Sequence, residues 1–345
     1  RQHRQQRHSD DNNSSSLRFL PVGVAVMPPK KKPAAKEGEV DTFDEFMKRY
    51  AKNQKEFETP KIASVQEIIT KIEEQGVEEV KSWNFDREFD PMAFRVLMHT
   101  LRQTAFNEIE ALRLWKCGGG DESVRSVCYY LDSQPEPMVK DVHFLDNGVT
   151  QLGCEFLGRT LGPNGNKNVN LLRLDYNAFG TPGVEKLSLG LSQNAFLRHL
   201  SLRYCGIGED GGQYIAQILM FHRNALETLE LRGNFLRDRG VVDVFNGCKR
   251  KDALKEIDVF DNKFSDSPEV IKALRDLFAN NINLTSYNLA GNQISDAGAS
   301  NLVNGMIGHA HLTSVKVTER CSAKTFEALE FQLSASKGKK KGKKK

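Results

Sequence analysis

A pattern that returns every 28 to 30 residues constrains this chain more than any other feature of it. The run apolar-x-x-apolar-x-apolar-x-x-Asn/Cys begins at Ile109, Val139, Val169, Leu197, Leu226, Leu254 and Leu284. It closes on Cys117, Asn147, Asn177, Cys205, Asn234, Asn262 and Asn292. An eighth copy at Leu312 keeps Val315 and Val317 but carries Arg320 in the last slot, and a degenerate copy at Val80 keeps Trp83 and Phe85, with Glu88 there. A fixed period of this length implies a solenoid, because one such unit cannot bury its own apolar face and must stack on its neighbours.

Each column has a physical reason. Alternating apolar residues make a short strand with one buried face, and successive copies supply neighbouring strands of a parallel sheet. Where the chain leaves each strand, backbone amides turn inward, and an Asn side chain carries the donors and acceptor that satisfy them. Stacked copies then build a ladder through the interior, with Cys as a small substitute. Two residues beyond each rung an apolar column recurs (Val149, Phe179, Ile207, Leu236, Phe264, Ile294). Four beyond it lie Asp121, Thr181, Glu209, Asp238, Asp266 and Asp296, acceptors expected to cap free amides at a helix start. The helix is legible in "SPEVIKALRDLFANN", where Pro268 suits a first turn and Ile271, Leu274, Leu277 and Phe278 share one face.

Strand, turn and amphipathic helix in about 28 residues resemble the ribonuclease-inhibitor-like leucine-rich repeat family. The resemblance implies an α/β leucine-rich repeat solenoid, a horseshoe with a parallel β-sheet on the concave face, helices on the convex face and an N-terminal helical cap. Four segments follow: a disordered basic leader over residues 1–39, a helical cap over 40–76, about eight to nine repeats over 77–333, and a disordered Lys-rich tail over 334–345. Met27, opening "MPPKKKPAAK", reads as a translation start, with residues 1–26 as leader. The cap expectation rests on two apolar stripes, Phe43/Phe46/Met47/Tyr50 and Val65/Ile68/Ile69/Ile72. A capping box precedes each, Thr42-x-x-Glu45 and Ser64-x-x-Glu67. At the rear, the missing Asn and the helix "AKTFEALEFQL" read as a closing unit.

Catalytic motifs are not indicated, and no cofactor or metal is expected. "GIGEDG" at Gly206–Gly211 matches a dinucleotide fingerprint, but Gly211 falls in the repeat's own glycine column with Gly153, Gly183, Gly240 and Gly298. His309 and His311 lack the accompanying ligands of a metal site. What remains is surface. Strand alternation points Arg113, Trp115, His143, Leu145, Arg173, Arg203, Glu230, Arg232, Asp258 and Phe260 onto the concave face, the expected partner-binding set, with Trp115 beside Leu145 and Phe260 isolated. The competing reading is a solvated face whose charges pair across strands, Asp175 with Arg203 for example. Five bases and five acids on this face make a poor phosphate track, so a protein is expected in the curve and nucleic acid is not.

Charge is segregated. The chain is +4 overall, the first forty residues are +4 and the last twelve +7, which leaves an acidic body at −7. "KGKKKGKKK" reads as a flexible cationic tether for a polyanionic surface, the tubulin lattice being one, with nuclear import as the competing reading. Lysine-rich ends together with repeats of this type resemble proteins of the ciliary and flagellar axoneme. Six cysteines without short paired spacings imply free thiols in a reducing compartment, hence a cytoplasmic location, the cilium or flagellum in particular, with the nucleus as alternative. No apolar run reaches the roughly 18 residues of a membrane span. The function expected is a non-catalytic protein-protein interaction scaffold of a cytoskeletal assembly. The alternative is a regulator of a small GTPase, since the Ran GTPase-activating proteins share the repeat fold, or a nuclear adaptor.

Overall fold

The structure, a computed structural model, describes residues 42–341 except 105 and 134–137. The described residues belong to one compact unit, Ala35–Lys345. The expected leader, residues 1–39, and the last four lysine-rich residues lie outside them.

Nine parallel strands form one sheet in strict sequence order: β1 Ser82–Phe85, β2 Ala111–Trp115, β3 Asp141–Leu145, β4 Leu171–Arg173, β5 His199–Ser201, β6 Thr228–Glu230, β7 Glu256–Asp258, β8 Ser286–Asn288 and β9 Ser314–Lys316. Registry follows the repeat columns: Trp83 opposes Leu112, Leu112 opposes Val142, and the same column continues through Leu172, Leu200, Leu229, Ile257, Tyr287 and Val315. All of these are buried, because alternation sends every second strand residue to the helical side. That side is covered by α3 Pro91–Gln103, α4 Gly120–Ser133, α5 Gln151–Thr160, α6 Gly180–Leu191, α7 Gly211–Met220, α8 Arg237–Cys248, α9 Pro268–Asn280 and α10 Asp296–Gly305.

The helices do not stack evenly, and glycine decides where they close up. A Cβ on Gly190 would stand 1.6 Å from the Gly158 carbonyl oxygen, and one on Gly212 would stand 2.2 Å from that of Gly240. Backbones of α5 and α6, and of α7 and α8, therefore meet directly, which no larger residue permits. Gly211 is likewise explained by packing, since a Cβ there would meet Ile207 at 2.3 Å.

At the front, α1 Thr42–Glu56 and α2 Ala63–Gln75 cover the first repeat. Phe46 packs on Tyr50, Trp83 and Phe106 with ring centroids 5.4 to 5.8 Å apart, and Asn53 Nδ2 donates to Thr100 Oγ1 at 2.9 Å. The capping boxes do not form as read. Ser64 lies inside α2 and is buried; the N-cap position is Ile62, whose side chain joins the core and whose carbonyl accepts from Val65 and Gln66. Anchoring by Ile62 starts the helix earlier than a polar cap would. Thr42 is likewise already helical. At the rear, α11 runs from Ala323 to Lys341, so helix continues into the segment expected to be disordered from residue 334. Leu329 is buried against the last repeat and seeds the helix, and the following Ala, Ser and Lys residues permit it to propagate.

Candidate functional site

The interior ladder is continuous over most of its length. Asn147 donates from Nδ2 to the carbonyls of Leu114 and Leu145, each at 2.9 Å, while its own backbone N–H donates to Asn177 Oδ1 at 3.0 Å. Asn177 Oδ1 also accepts from Val149 N, and its Nδ2 reaches Phe144 O and Leu174 O. Asn234 accepts from the Cys205 and Ile207 amides, and Asn292 accepts from the Asn262 amide. Both cysteines of the ladder act as small donors. Burial pushes the Cys117 thiol up to about 11, so it stays protonated and reaches Phe85 O at 3.2 Å; Cys205 Sγ reaches Leu174 O at 3.3 Å. A thiol cannot take an Asn's acceptor role here, and Asn262 Oδ1 is a second gap, without a partner among the described residues.

Two further ladders flank this one. The acidic column does accept from helix-start amides, but from those of the following repeat. Asp121 Oδ1 accepts from Thr150 N at 2.8 Å and Gly153 N at 3.0 Å; Asp238 takes Ser265 N and Oγ; Asp296 takes Ser322 N and Thr325 Oγ1. Thr181 and Glu209 do the same for Gly208 and Arg239. Within its own repeat the capping falls to Thr150 or Ser295, because Asp121, Thr181, Asp238 and Asp296 already lie in the first turn of their helices and reach across to the following repeat. The third ladder was not read from the sequence. Asn166, Asn194 and Asn281 sit three residues before Val169, Leu197 and Leu284, each accepting two strand-entry amides and donating to a carbonyl one repeat back. That shared offset was the available signal.

The open face of the sheet carries the expected partner-binding residues, and most of its charges are paired. Arg113 donates to Asp141 at 2.5 Å from Nη2, and His143 Nε2 lies 2.7 Å from the same carboxylate. Glu230 is the hub: Arg203, Arg173 at 3.3 Å and His199 at 3.4 Å all converge on it. Burial opposes its charge, yet His199 and Arg203 outweigh that and hold the carboxyl at about 2. The pairing of Asp175 with the Arg203 side chain does not form. Asp175 instead accepts from Ser201 Oγ and from the Arg203 backbone amide, because Glu230 holds the guanidinium. Arg232 donates to Asp258 and lies 4.6 Å over the Phe260 ring, so Phe260 is not isolated; its ring rests against Gly291. Trp115 opposes Leu145 in register and is 55% exposed.

Directly before each rung lies a column whose backbone is unusual. Lys116, Asp146, Tyr176, Tyr204, Gly233, Asp261 and Gly291 all have φ between +51° and +73°. The left-handed region costs a side-chain-bearing residue about 1–2 kcal/mol, so glycine is the expected occupant. Amides of this column still donate to the next repeat, Tyr176 N to Arg203 O and Tyr204 N to Arg232 O at 2.8 Å, which holds the geometry. Tyr176 and Tyr204 stack with centroids 4.9 Å apart and planes 10° apart, and Tyr204 covers Gly233. Tyr176 is 56% exposed, and Phe235, which directly follows the Asn234 rung, is 49% exposed. This aromatic rim was also missed, since a reading by strand alternation stops where the strand does.

Comparison with known proteins agrees with the architecture. The family model described as Leucine Rich repeat matches residues 193–216 and 280–303. The human protein "NACHT, LRR and PYD domains-containing protein 14" is 28% identical over 192 residues, 54% of this chain and 17% of that protein. Pig ribonuclease inhibitor is 28% identical over 152 residues, 44% of this chain and 32% of that protein. The chain thus spans less than a third of the length of either relative. A solved structure titled "Leiomodin-1 Actin-Binding Site 2 (ABS2)" aligns at a TM-score of 0.35 and 13% identity, over 55% of this chain and 90% of that one. With its period, nine-stranded sheet and Asn/Cys ladder, this chain has the fold of a leucine-rich repeat solenoid and is similar in sequence to ribonuclease inhibitor.

Proposed function

We propose that the protein is a non-catalytic interaction scaffold that docks a protein partner on the open face of its sheet and is tethered by its lysine-rich end to a polyanionic surface, the tubulin lattice of a ciliary or flagellar axoneme. The observation that carries the docking is Trp115, a large side chain left 55% exposed beside Leu145 on a face built from rigid strands. Aromatic anchors with neighbouring arginines are the usual centre of a protein interface. The tether rests on the seven lysines of residues 334–345, which carry no acid among them. No helix of the described residues is long and apolar enough to cross a membrane.

The test is fractionation of detergent-extracted cilia, followed by crosslinking mass spectrometry. Retention with the axoneme, crosslinks from the sheet face to one partner, and release on deleting residues 337–345 are expected. Stimulation of nucleotide hydrolysis by a purified small GTPase points instead to the regulator, and nuclear enrichment that vanishes with the same deletion points to the adaptor. Trp115→Ala is expected to weaken partner capture about tenfold or more while leaving thermal unfolding unchanged, as the ring contributes little to the core.

A further inference from the structure

Every arginine ion pair on the sheet face has the same layering. The carboxylates of Asp141, Glu230 and Asp258 lie underneath, 16%, 13% and 10% exposed, and the guanidiniums of Arg113, Arg203 and Arg232 lie above them, 44%, 27% and 34% exposed. Long side chains rooted two residues or one strand away fold over short acids and keep N–H donors to spare, since a guanidinium has five and a single carboxylate engages two at most. A count of charges makes this face neutral. What an approaching molecule meets is a layer of donors.

The rim adds flat rings at the strand exits. Tyr176 and Tyr204 occupy the left-handed column where Gly233 and Gly291 sit in later repeats, and neither phenol is hydrogen-bonded among the described residues. Side chains held in strained backbone conformations concentrate where a protein binds something. Resting on the proposed scaffold role, we infer that the rim and the arginine layer together bind an extended, acidic polypeptide segment carrying interspersed aromatic or aliphatic side chains. Its carboxylates take the spare guanidinium donors, its backbone carbonyls accept from the phenols, and its apolar side chains lie on Trp115 and the tyrosine stack. From the strand of Trp115 to that of Arg232 is four strand spacings, about 19 Å, which an extended chain covers in about six residues. A phosphate track does not fit, because the carboxylate beneath each arginine cancels the long-range field that nucleic acid binding draws on.

The experiment is fluorescence anisotropy of the full chain with a labelled decapeptide alternating glutamate with leucine and tyrosine. Controls are its glutamine and lysine counterparts and an oligouridylate decamer. The acidic peptide is expected to bind, with the controls at least about tenfold weaker. The pair Tyr176→Asn and Tyr204→Asn, chosen because Asn tolerates the left-handed region, is expected to weaken binding about tenfold at an unchanged melting temperature. Failure of the acidic peptide, equal binding by the glutamine peptide or the oligouridylate, or full binding by the double variant overturns the inference. Crosslinks from the sheet face to a folded partner in cell extract would then still uphold the scaffold role, and their absence would remove both.

Discussion

Asn177 and Tyr176 are neighbours in sequence and belong to opposite regimes. The Asn is 1% exposed and bonded to amides and carbonyls of its own and the preceding repeat, while the Tyr is 56% exposed and bonded through its backbone. The rung column is chemically uniform, Asn or Cys in the seven repeats from Cys117 to Asn292, because buried amides impose one solution. The rim column runs Lys, Asp, Tyr, Tyr, Gly, Asp, Gly, because the fold demands of it only a positive φ. Structure constrains the first by its side chain and the second by its backbone, which leaves the rim's chemistry open to function.

Breaking the uniform column is expected to have the largest effect. Asn177→Ala strands the Asn147 and Val149 amides and the Phe144 carbonyl and leaves Leu174 O to the weak Cys205 thiol, and a loss of about 4 kcal/mol is expected from groups costing about 1–3 kcal/mol each, less than additively. Urea denaturation at neutral pH measures it, and a loss under 1 kcal/mol would mean the ladder is dispensable. Next comes the hub of the sheet face. The Glu230 carboxyl titrates at about 2 in the fold against an ordinary value of 4.5, so its contribution is complete above pH 4.5 and disappears as pH falls through about 2. The linked loss is about 3 kcal/mol. Acid denaturation of the wild type against Glu230→Gln separates this from other carboxylates: the Gln variant should begin less stable and lose less on acidification.

A smaller effect probes the ladder that sequence reading missed. Asn194→Ala removes the acceptor for the Phe196 and Leu197 amides and the donor to Leu161 O, with a loss of about 2 kcal/mol expected by the same denaturation. The smallest sharpens the contrast. Tyr176→Gly relieves left-handed strain but gives up a ring stack and gains unfolded-state entropy, terms of about 1 kcal/mol each that nearly cancel. A change beyond about 1 kcal/mol in either direction would show that the rim is built for stability after all.

Legibility followed the same division. Strand positions, the buried leucine column and the Asn/Cys rungs could be read because they repeat and each answers a single physical demand. Asn166, Asn194 and Asn281 repeat too, but their column is shared by fewer copies and lies outside the strand motif. The direction of the acidic column was misread, since local rules for helix caps say nothing about a parallel helix one repeat away. Pairing on the face was anticipated in kind but not in detail: Asp175 was assigned to Arg203, and geometry gave that guanidinium to Glu230.

Sequence by itself determined the period, the alternation that buries one strand face, and the polar residue each turn needs, because these are demands of the local backbone repeated along the chain. Only the tertiary structure decided which carboxylate lies beneath which arginine, which helices touch through Gly158 and Gly190, and where Tyr176 and Tyr204 stack. Those outcomes depend on the distance between residues 26 to 57 positions apart in the chain, and stacking of the repeats sets that distance.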